Sequence, residues 1–234
     1  MAFTLHPVTL EDAEDITRIF EEAFKNDHII GYFHPNVPRD IIWGRDLDFY
    51  RALIRDGDIY GGRITKAVET STGKTVAFAR WQYPYTLTPE QQAEKEENDK
   101  NRKRYYEFPE GSNEELQKEF FRQLTEGRKR FIVPEKTYFL HILAVDPAYH
   151  RRGIGSMLIR PGLAAADKDG AQTFIEASPD GLPLYLRHGW EPVGEMVIDM
   201  RPHGGTGIEV MPLLMREPNA PNKLRTLDAE TSES

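Results

Sequence analysis

The stretch from Tyr138 to Ser156 holds the residues best suited to chemistry. An apolar run, Phe139 to Val145, leads into Asp146-Pro147. A basic loop of His150, Arg151 and Arg152 follows, and Gly153-Ile154-Gly155-Ser156 opens a helical segment. A strand, a glycine-bearing loop and a helix N-terminus together form an anion site. Glycine lets the backbone come close to a phosphate, and the unpaired N–H groups of a first helical turn point at it. Arginine adds charge in a geometry that suits phosphate. Gly155 is expected on the phosphate path itself, where a side chain would obstruct the ligand. Within the apolar run His141 is the only polar side chain. Strand alternation predicts Phe139, His141, Leu143 and Val145 on one face and Leu140, Ile142 and Ala144 on the other. An imidazole in that position is a base or proton relay, or else a satisfied core residue. Glu176, on the following strand, is the competing base, or a buried structural carboxylate.

The glycine loop differs from two common phosphate binders. Leu158 stands where a dinucleotide fingerprint has its third glycine, and no Gly-Lys-Ser/Thr follows. Gly204-Gly205-Thr206-Gly207 has no helical pattern after it and reads as a hairpin turn.

The elements that must position these residues can be traced along the chain. Phe3 to Pro7 reads as a strand, and Thr9-Leu10-Glu11-Asp12 as a helix start with a capping Thr and an acid three residues on. Ala13, Ile16, Phe20 and Ala23 then recur at helical spacing. Residues 25–62 carry His28, Tyr32, Phe33, His34, Trp43, Phe49, Tyr50 and Tyr60, either as a surface helix-loop-helix with packed aromatics or as a substrate-contacting lid. Arg63 to Glu69 and Thr75 to Trp81 form a hairpin across Ser71-Thr72-Gly73-Lys74.

Residues 82–137 read as a helical insertion, with helix starts at Thr88-Pro89-Glu90-Gln91 and Ser112-Asn113-Glu114-Glu115. Leu116, Phe120 and Leu124 stripe the second helix. The mixed charges of 90–104 suit a solvated face. Arg128-Lys129-Arg130 suits either a nuclear import signal or a helix C-terminus, where cations are favoured. After the Gly153 helix come a strand (173–177), a short helix (182–188) and paired strands (192–200 and 207–215). The order predicts a single α/β domain over residues 1–215 with helices on both faces of the sheet, and a disordered tail over 216–234.

Composition narrows the function. The 30 Lys and Arg stand against 38 Asp and Glu, a net charge of -8 over 234 residues. This opposes non-specific nucleic-acid binding and suits a cationic acceptor. With 0 Cys, disulfides, thiolate metal sites and a cysteine nucleophile are excluded. No signal peptide or membrane span is expected, which makes the cytoplasm the default compartment with the nucleus open.

Val145-Asp146-Pro147 followed by His150-Arg151-Arg152-Gly153-Ile154-Gly155 resembles the coenzyme-binding loop of the GNAT superfamily of N-acetyltransferases, Gln/Arg-x-x-Gly-x-Gly/Ala after a strand ending Val-x-Pro. His150 departs from the usual Gln or Arg, and Pro161 falls inside the predicted helix. Ser178-Pro179-Asp180-Gly181-Leu182-Pro183-Leu184-Tyr185, running on to Gly189-Trp190, resembles the family's Tyr-x-x-x-Gly-Phe element. The phrasing here is most similar to fungal members. His-x-Leu-Ala-Val also resembles the arylalkylamine acetyltransferases: His141 matches one of their two strand histidines, and Phe139 occupies the other position.

The resemblance implies a mixed, mostly antiparallel central sheet, with the insertion between its third and fourth strands. It implies acetyl-CoA as co-substrate. Arg151, Arg152, Gly153, Ile154, Gly155 and Ser156 would hold the pyrophosphate, Ser178 would also contact the coenzyme, and the backbone N–H groups of Ala144 and Val145 would hold the thioester. Tyr185 would protonate the departing thiolate, or be only a packed aromatic. The acceptor expected is a primary amine of a small molecule, acetylated directly in a ternary complex. No nucleic-acid or membrane partner is expected. The alternative is an acyl-CoA sensor on the same fold without turnover.

Overall fold

The computed structural model describes residues 2–56, 61–102 and 108–221. Tyr60, the end of the 90–104 charged stretch and residues 222–234 lie outside them. Seven strands form one sheet in the order β1-β2-β3-β4-β5-β7-β6. They are β1 (Phe3–Pro7), β2 (Gly62–Glu69), β3 (Thr75–Gln82), β4 (Thr137–Val145), β5 (Gln172–Glu176), β6 (Glu191–Asp199) and β7 (Ile208–Arg216). Every pairing is antiparallel except β4 with β5. This is the mixed, mostly antiparallel sheet expected. Among the described residues no helix is long and apolar enough to cross a membrane.

Helix α5 (Ile154–Asp169) covers one face of the sheet, joined by the short α6 (Leu182–Arg187). Its fit depends on Gly162, where a Cβ would lie 2.3 Å from the Trp81 ring. Pro161 does lie within α5, on its exposed side. The other face carries α1 (Ala13–Phe24), α2 (Arg39–Asp56) and α4 (Glu114–Phe131). Helix α1 follows a single 3-10 turn in which the Asp12 carboxylate accepts the Thr9 N–H at 2.8 Å, the reciprocal cap read from the sequence.

Helices α3 (Pro89–Arg102) and α4 sit between β3 and β4 as expected, although α4 is capped at Asn113, one residue later than read. Leu116, Phe120 and Leu124 are all buried, in a cluster with Phe33, Phe139 and Phe174.

Two features of β4 set up the site. Pairing with β5 covers only Thr137–Phe139 opposite Gln172–Phe174; beyond that the two strands part. The register against β3 also slips: Arg80 faces Ile142 and Trp81 faces Leu140, which leaves His141 as the extra residue of a β-bulge. The bulge overturns the predicted alternation. Leu143 and Val145 pack on the α5 side with Leu140, whereas Phe139, Ile142 and Ala144 pack on the α1–α2–α4 side. His141 stays with Phe139, its ring centroid 3.8 Å away.

The end of the domain also differs from the expectation. Arg216, placed by the sequence in the tail, closes β7 at 4% exposure. It donates to the Asp167 carboxylate at 2.6 and 3.2 Å and to the His188 carbonyl at 2.9 Å. The Asn219 N–H joins the same carboxylate at 2.7 Å.

Candidate active site

The loop after β4 is built by Asp146. Its carboxylate accepts the Ala148 N–H at 3.0 Å and also receives Arg18 and Lys74, each at 3.2 Å, fixing the 3-10 turn Pro147–Tyr149. Arg151 (φ 61°) and Gly153 (φ 77°) then both take the left-handed conformation, which only glycine adopts freely. The double reversal turns the chain into α5 with Gly153 as cap and no side chain closing the end. Met157 is the first residue to bond back, to the Gly153 carbonyl, so the N–H groups of Ile154, Gly155 and Ser156 remain for an anion.

The side chains around the loop depart from expectation. Arg152 folds back over the Tyr149 ring at 4.8 Å and donates to the Ala148 carbonyl, away from the helix end. Arg151 is exposed. A Cβ on Gly155 would point inward, 3.0 Å from Leu184 and 3.6 Å from Leu143, not onto an anion path. Gly155 therefore serves close packing of α5 on β4 and α6. The Ser156 hydroxyl is bonded to His188 Nε2 at 2.9 Å. Burial, then Arg160, Arg187 and Arg216, push His188 down to about 4, so that ring is neutral. Ser178 Oγ accepts the Gly181 N–H at 3.2 Å, which starts α6.

The backbone of β4 separates Ala144 from Val145. The Asp146 N–H bonds the Val76 carbonyl of β3 at 2.9 Å, and Ala144 lies opposite Phe78 two residues back. Strand alternation therefore turns the Ala144 N–H toward β3, whereas those of Leu143 and Val145 face the gap left by β5. The Val145 carbonyl, on that same side, accepts from His150 Nε2 at 3.1 Å. Of the two residues the resemblance implied for the thioester, only Val145 turns its N–H to the gap, with Leu143 beside it.

Across the gap lies a cavity of about 670 Å³ lined by α1, α2, α4 and the parted ends of β4 and β5. It brings His141, Glu176, Ser178 and Tyr185 together. Tyr185 is 5% exposed, packs edge-on against Trp190, and burial raises its hydroxyl above the ordinary phenol value. It is a packed aromatic and a cavity-lining one at once. His141 is held well below its usual value by burial, then by the guanidiniums of Arg80 and Arg128. A neutral imidazole results, but its protonated form is disfavoured, so it is a weak terminal base. The Glu176 side chain is 7% exposed, and burial raises its pKa against the pull of Arg128. Both of its oxygens are taken by Arg128, Nε at 2.6 Å and Nη2 at 3.1 Å. Arg128, from the basic triplet, thus faces inward and also lies 4.9 Å over the Phe139 ring.

One polar lining residue escaped the sequence reading. Asp46 on α2 is pushed up to about 7 by burial and by the nearby Glu21, against the opposing pull of Arg45. Tyr50, one turn on, is 1% exposed and its hydroxyl has no partner among the described residues. A signal for Asp46 exists: Ile42, Phe49, Tyr50 and Leu53 form a helical stripe, and Asp46 is the acid inside it. Of the aromatic stretch 25–62, Phe33, Phe49 and Tyr50 both pack against other rings and line the cavity, and His34 lines it too.

Residues 75–190 match the Acetyltransferase (GNAT) family. Solved structures share the fold at low identity. A protein described as histone acetyltransferase HPA2 and related acetyltransferase, from Corynebacterium glutamicum, superposes with a TM-score of 0.60 at 21% identity, over 94% of this chain and 99% of its own. A mosquito arylalkylamine N-acetyltransferase like 5b gives 0.55 at 14%, over 92% and 100%. The PaiA N-acetyltransferase of Thermoplasma acidophilum, solved in complex with coenzyme A, gives 0.51 at 13%, over 93% and 99%. With its parted β4 and β5, its glycine-capped α5 and that family match, the chain belongs to the GNAT acetyltransferase family.

Proposed function

We propose that the protein is an acetyl-CoA-dependent N-acetyltransferase that acetylates a primary amine of a small molecule by direct transfer in a ternary complex. The observation that carries the proposal is the parting of β4 from β5, which joins a helix N-terminus without a side-chain cap on one side to a half-open cavity on the other. The N–H groups of Ile154, Gly155 and Ser156 would receive the coenzyme's pyrophosphate. Those of Leu143 and Val145 line the gap through which its thioester arm would reach the cavity. The cavity's volume falls in the ordinary range for a small ligand, and three helices wall it. Tyr185, kept protonated by burial, is the acid available to the departing thiolate.

The test is thiol release from acetyl-CoA in the presence of a panel of primary amines. Release that depends on amine and drops in Tyr185→Phe supports transfer. Tight acetyl-CoA binding with no release for any amine or peptide would make the protein an acyl-CoA sensor.

A further inference from the structure

The charges lining the cavity are not balanced. Most are already matched: Lys25 to Glu22 at 2.7 Å, Arg39 to Glu21 at 3.2 Å, and Arg128 to Glu176. Asp27 accepts the Ile29 and Ile30 N–H groups at 2.9 and 2.8 Å. Arg45 and Arg80 are also engaged. Asp46 differs: its carboxyl has no hydrogen bond among the described residues, and its electrostatic neighbours are Glu21 and Arg45. Beside it on the same helix face is the unpartnered, fully enclosed hydroxyl of Tyr50. A buried phenol without a partner is costly unless a ligand completes it, and the half-buried Asp46 carboxyl one turn away lines the same cavity. The wall next to them is aromatic, with Phe20 4.9 Å from Phe24 and 5.5 Å from Tyr50, and Phe49 5.3 Å from Tyr50.

We propose that Asp46 and Tyr50 form the acceptor's ammonium site, that Asp46 is the base that deprotonates it, and that the acceptor is a singly charged amine on an apolar body. The inference rests on the acetyl-transfer proposal above. An alkylammonium has a pKa of about 10 and cannot attack until it loses a proton. That proton passes to the Asp46 carboxylate. The freed nitrogen lone pair forms the N–C bond to the acetyl carbonyl carbon, and the C–S bond breaks. The sulfur takes a proton from Tyr185, which regains one from the acylated nitrogen. Asp46 later returns its proton to solvent, so one ammonium and one thioester give one amide, one thiol and one proton. The ionisable groups facing the pair are Glu21 from α1, Arg45 from α2 and Arg80 from β3. A second positive charge or a carboxylate on the acceptor finds no unmatched partner among the described residues, which selects against diamines and amino acids.

The experiment compares wild type, Asp46→Asn and Asp46→Glu, with 2-phenylethylamine, putrescine and phenylalanine as probes. In wild type, 2-phenylethylamine is the best acceptor, and kcat/KM rises with pH through about 7, where Asp46 ionises. Asp46→Asn lowers kcat by about 10²–10⁴-fold and loses that limb, while acetyl-CoA affinity is unchanged; Asp46→Glu recovers part of the rate. Folding gives a readout independent of turnover. A carboxyl raised in the fold binds its proton more tightly there than in the unfolded chain, so wild-type stability falls as pH rises from about 4 to about 7, and Asp46→Asn flattens that fall. An Asn variant with wild-type rate and limb overturns the inference while leaving acetyl transfer standing. If wild type acetylates no probe, calorimetry decides: 2-phenylethylamine binding that disappears in Asp46→Asn upholds the site, and no binding to wild type overturns it.

Discussion

On the α5 side of the gap between β4 and β5, the polar groups are backbone groups. Ile154, Gly155 and Ser156 offer N–H groups set by two left-handed residues, and Leu143 and Val145 offer theirs from a strand that has lost its neighbour. On the opposite side the polar groups are side chains from separate elements: Asp46 and Tyr50 from α2, Arg128 from the insertion, His141 from the bulge, and Glu176 from β5. A backbone site depends on local conformation and tolerates changes of side chain. A side-chain site depends on how distant elements dock. On the proposed function, the first would serve any acceptor, while the second would determine which one.

Tyr185 lies where the two sides meet, and its loss carries the largest expected effect. Tyr185→Phe keeps the ring against Trp190 and Gly181, so melting should barely move while turnover falls by about 10²–10⁴-fold. Near-full turnover in the folded variant would reduce Tyr185 to packing and leave the coenzyme side without an acid.

Arg128→Met tests whether the side-chain half also holds the fold together. It strands a buried Glu176. Loss of one partner of a fully buried pair costs about 3–5 kcal/mol; because Arg128 is a third exposed, about 2 kcal/mol is expected after discounting for solvent. Without the guanidinium, Glu176 sits still further above its unfolded value. The variant should therefore lose stability as pH rises through the carboxylate range. Chemical denaturation across pH, with Arg128→Met/Glu176→Gln as the restoring double variant, checks both points.

Gly153→Ala probes the backbone half. Nothing lies within 4 Å of the added Cβ, so the cost is conformational, about 1–2 kcal/mol for a left-handed alanine. The strain should appear both in melting and as weaker acetyl-CoA binding by calorimetry, with acceptor preference unchanged. A changed acceptor preference would erase the division between the two halves.

The smallest effect is expected at His141. Burial, Arg80 and Arg128 keep the ring neutral well into the acid range. His141→Gln should therefore leave the pH profile above 6 unaltered and lower turnover by less than the roughly 10²-fold that loss of a general base brings. An acidic limb above pH 6 that vanishes in this variant would move the base from Asp46 to His141.

The legible parts of the chain were those whose physics is local. Thr9 and Asp12 cap a helix start because their spacing closes one hydrogen-bonded turn. Leu116, Phe120 and Leu124 announce a buried stripe because helical period puts them on one face. Gly153 marks a loop opening a helix, and its φ of 77° is one that glycine adopts freely. The bulge at His141 was not legible, since an extra residue in β4 shows only against the register of β3, and it changed which side chains share a face. Gly155 was read for the wrong surface, because its inward contacts with Leu184 and Leu143 come from α6 and β4. Arg216 looked like tail because its partners Asp167 and His188 are 49 and 28 residues away.

The sequence by itself determined the strand-loop-helix turn at Gly153, the α/β order of elements and the helices between β3 and β4, because turn chemistry and periodicity act over a few residues. Tertiary structure alone decided that β4 and β5 part after Phe139, that Arg128 closes on Glu176, and that an acid on α2 lines the cavity with no hydrogen bond among the described residues. Those facts follow from burial and charge compensation, which are properties of the space between elements and are written in no single stretch of chain.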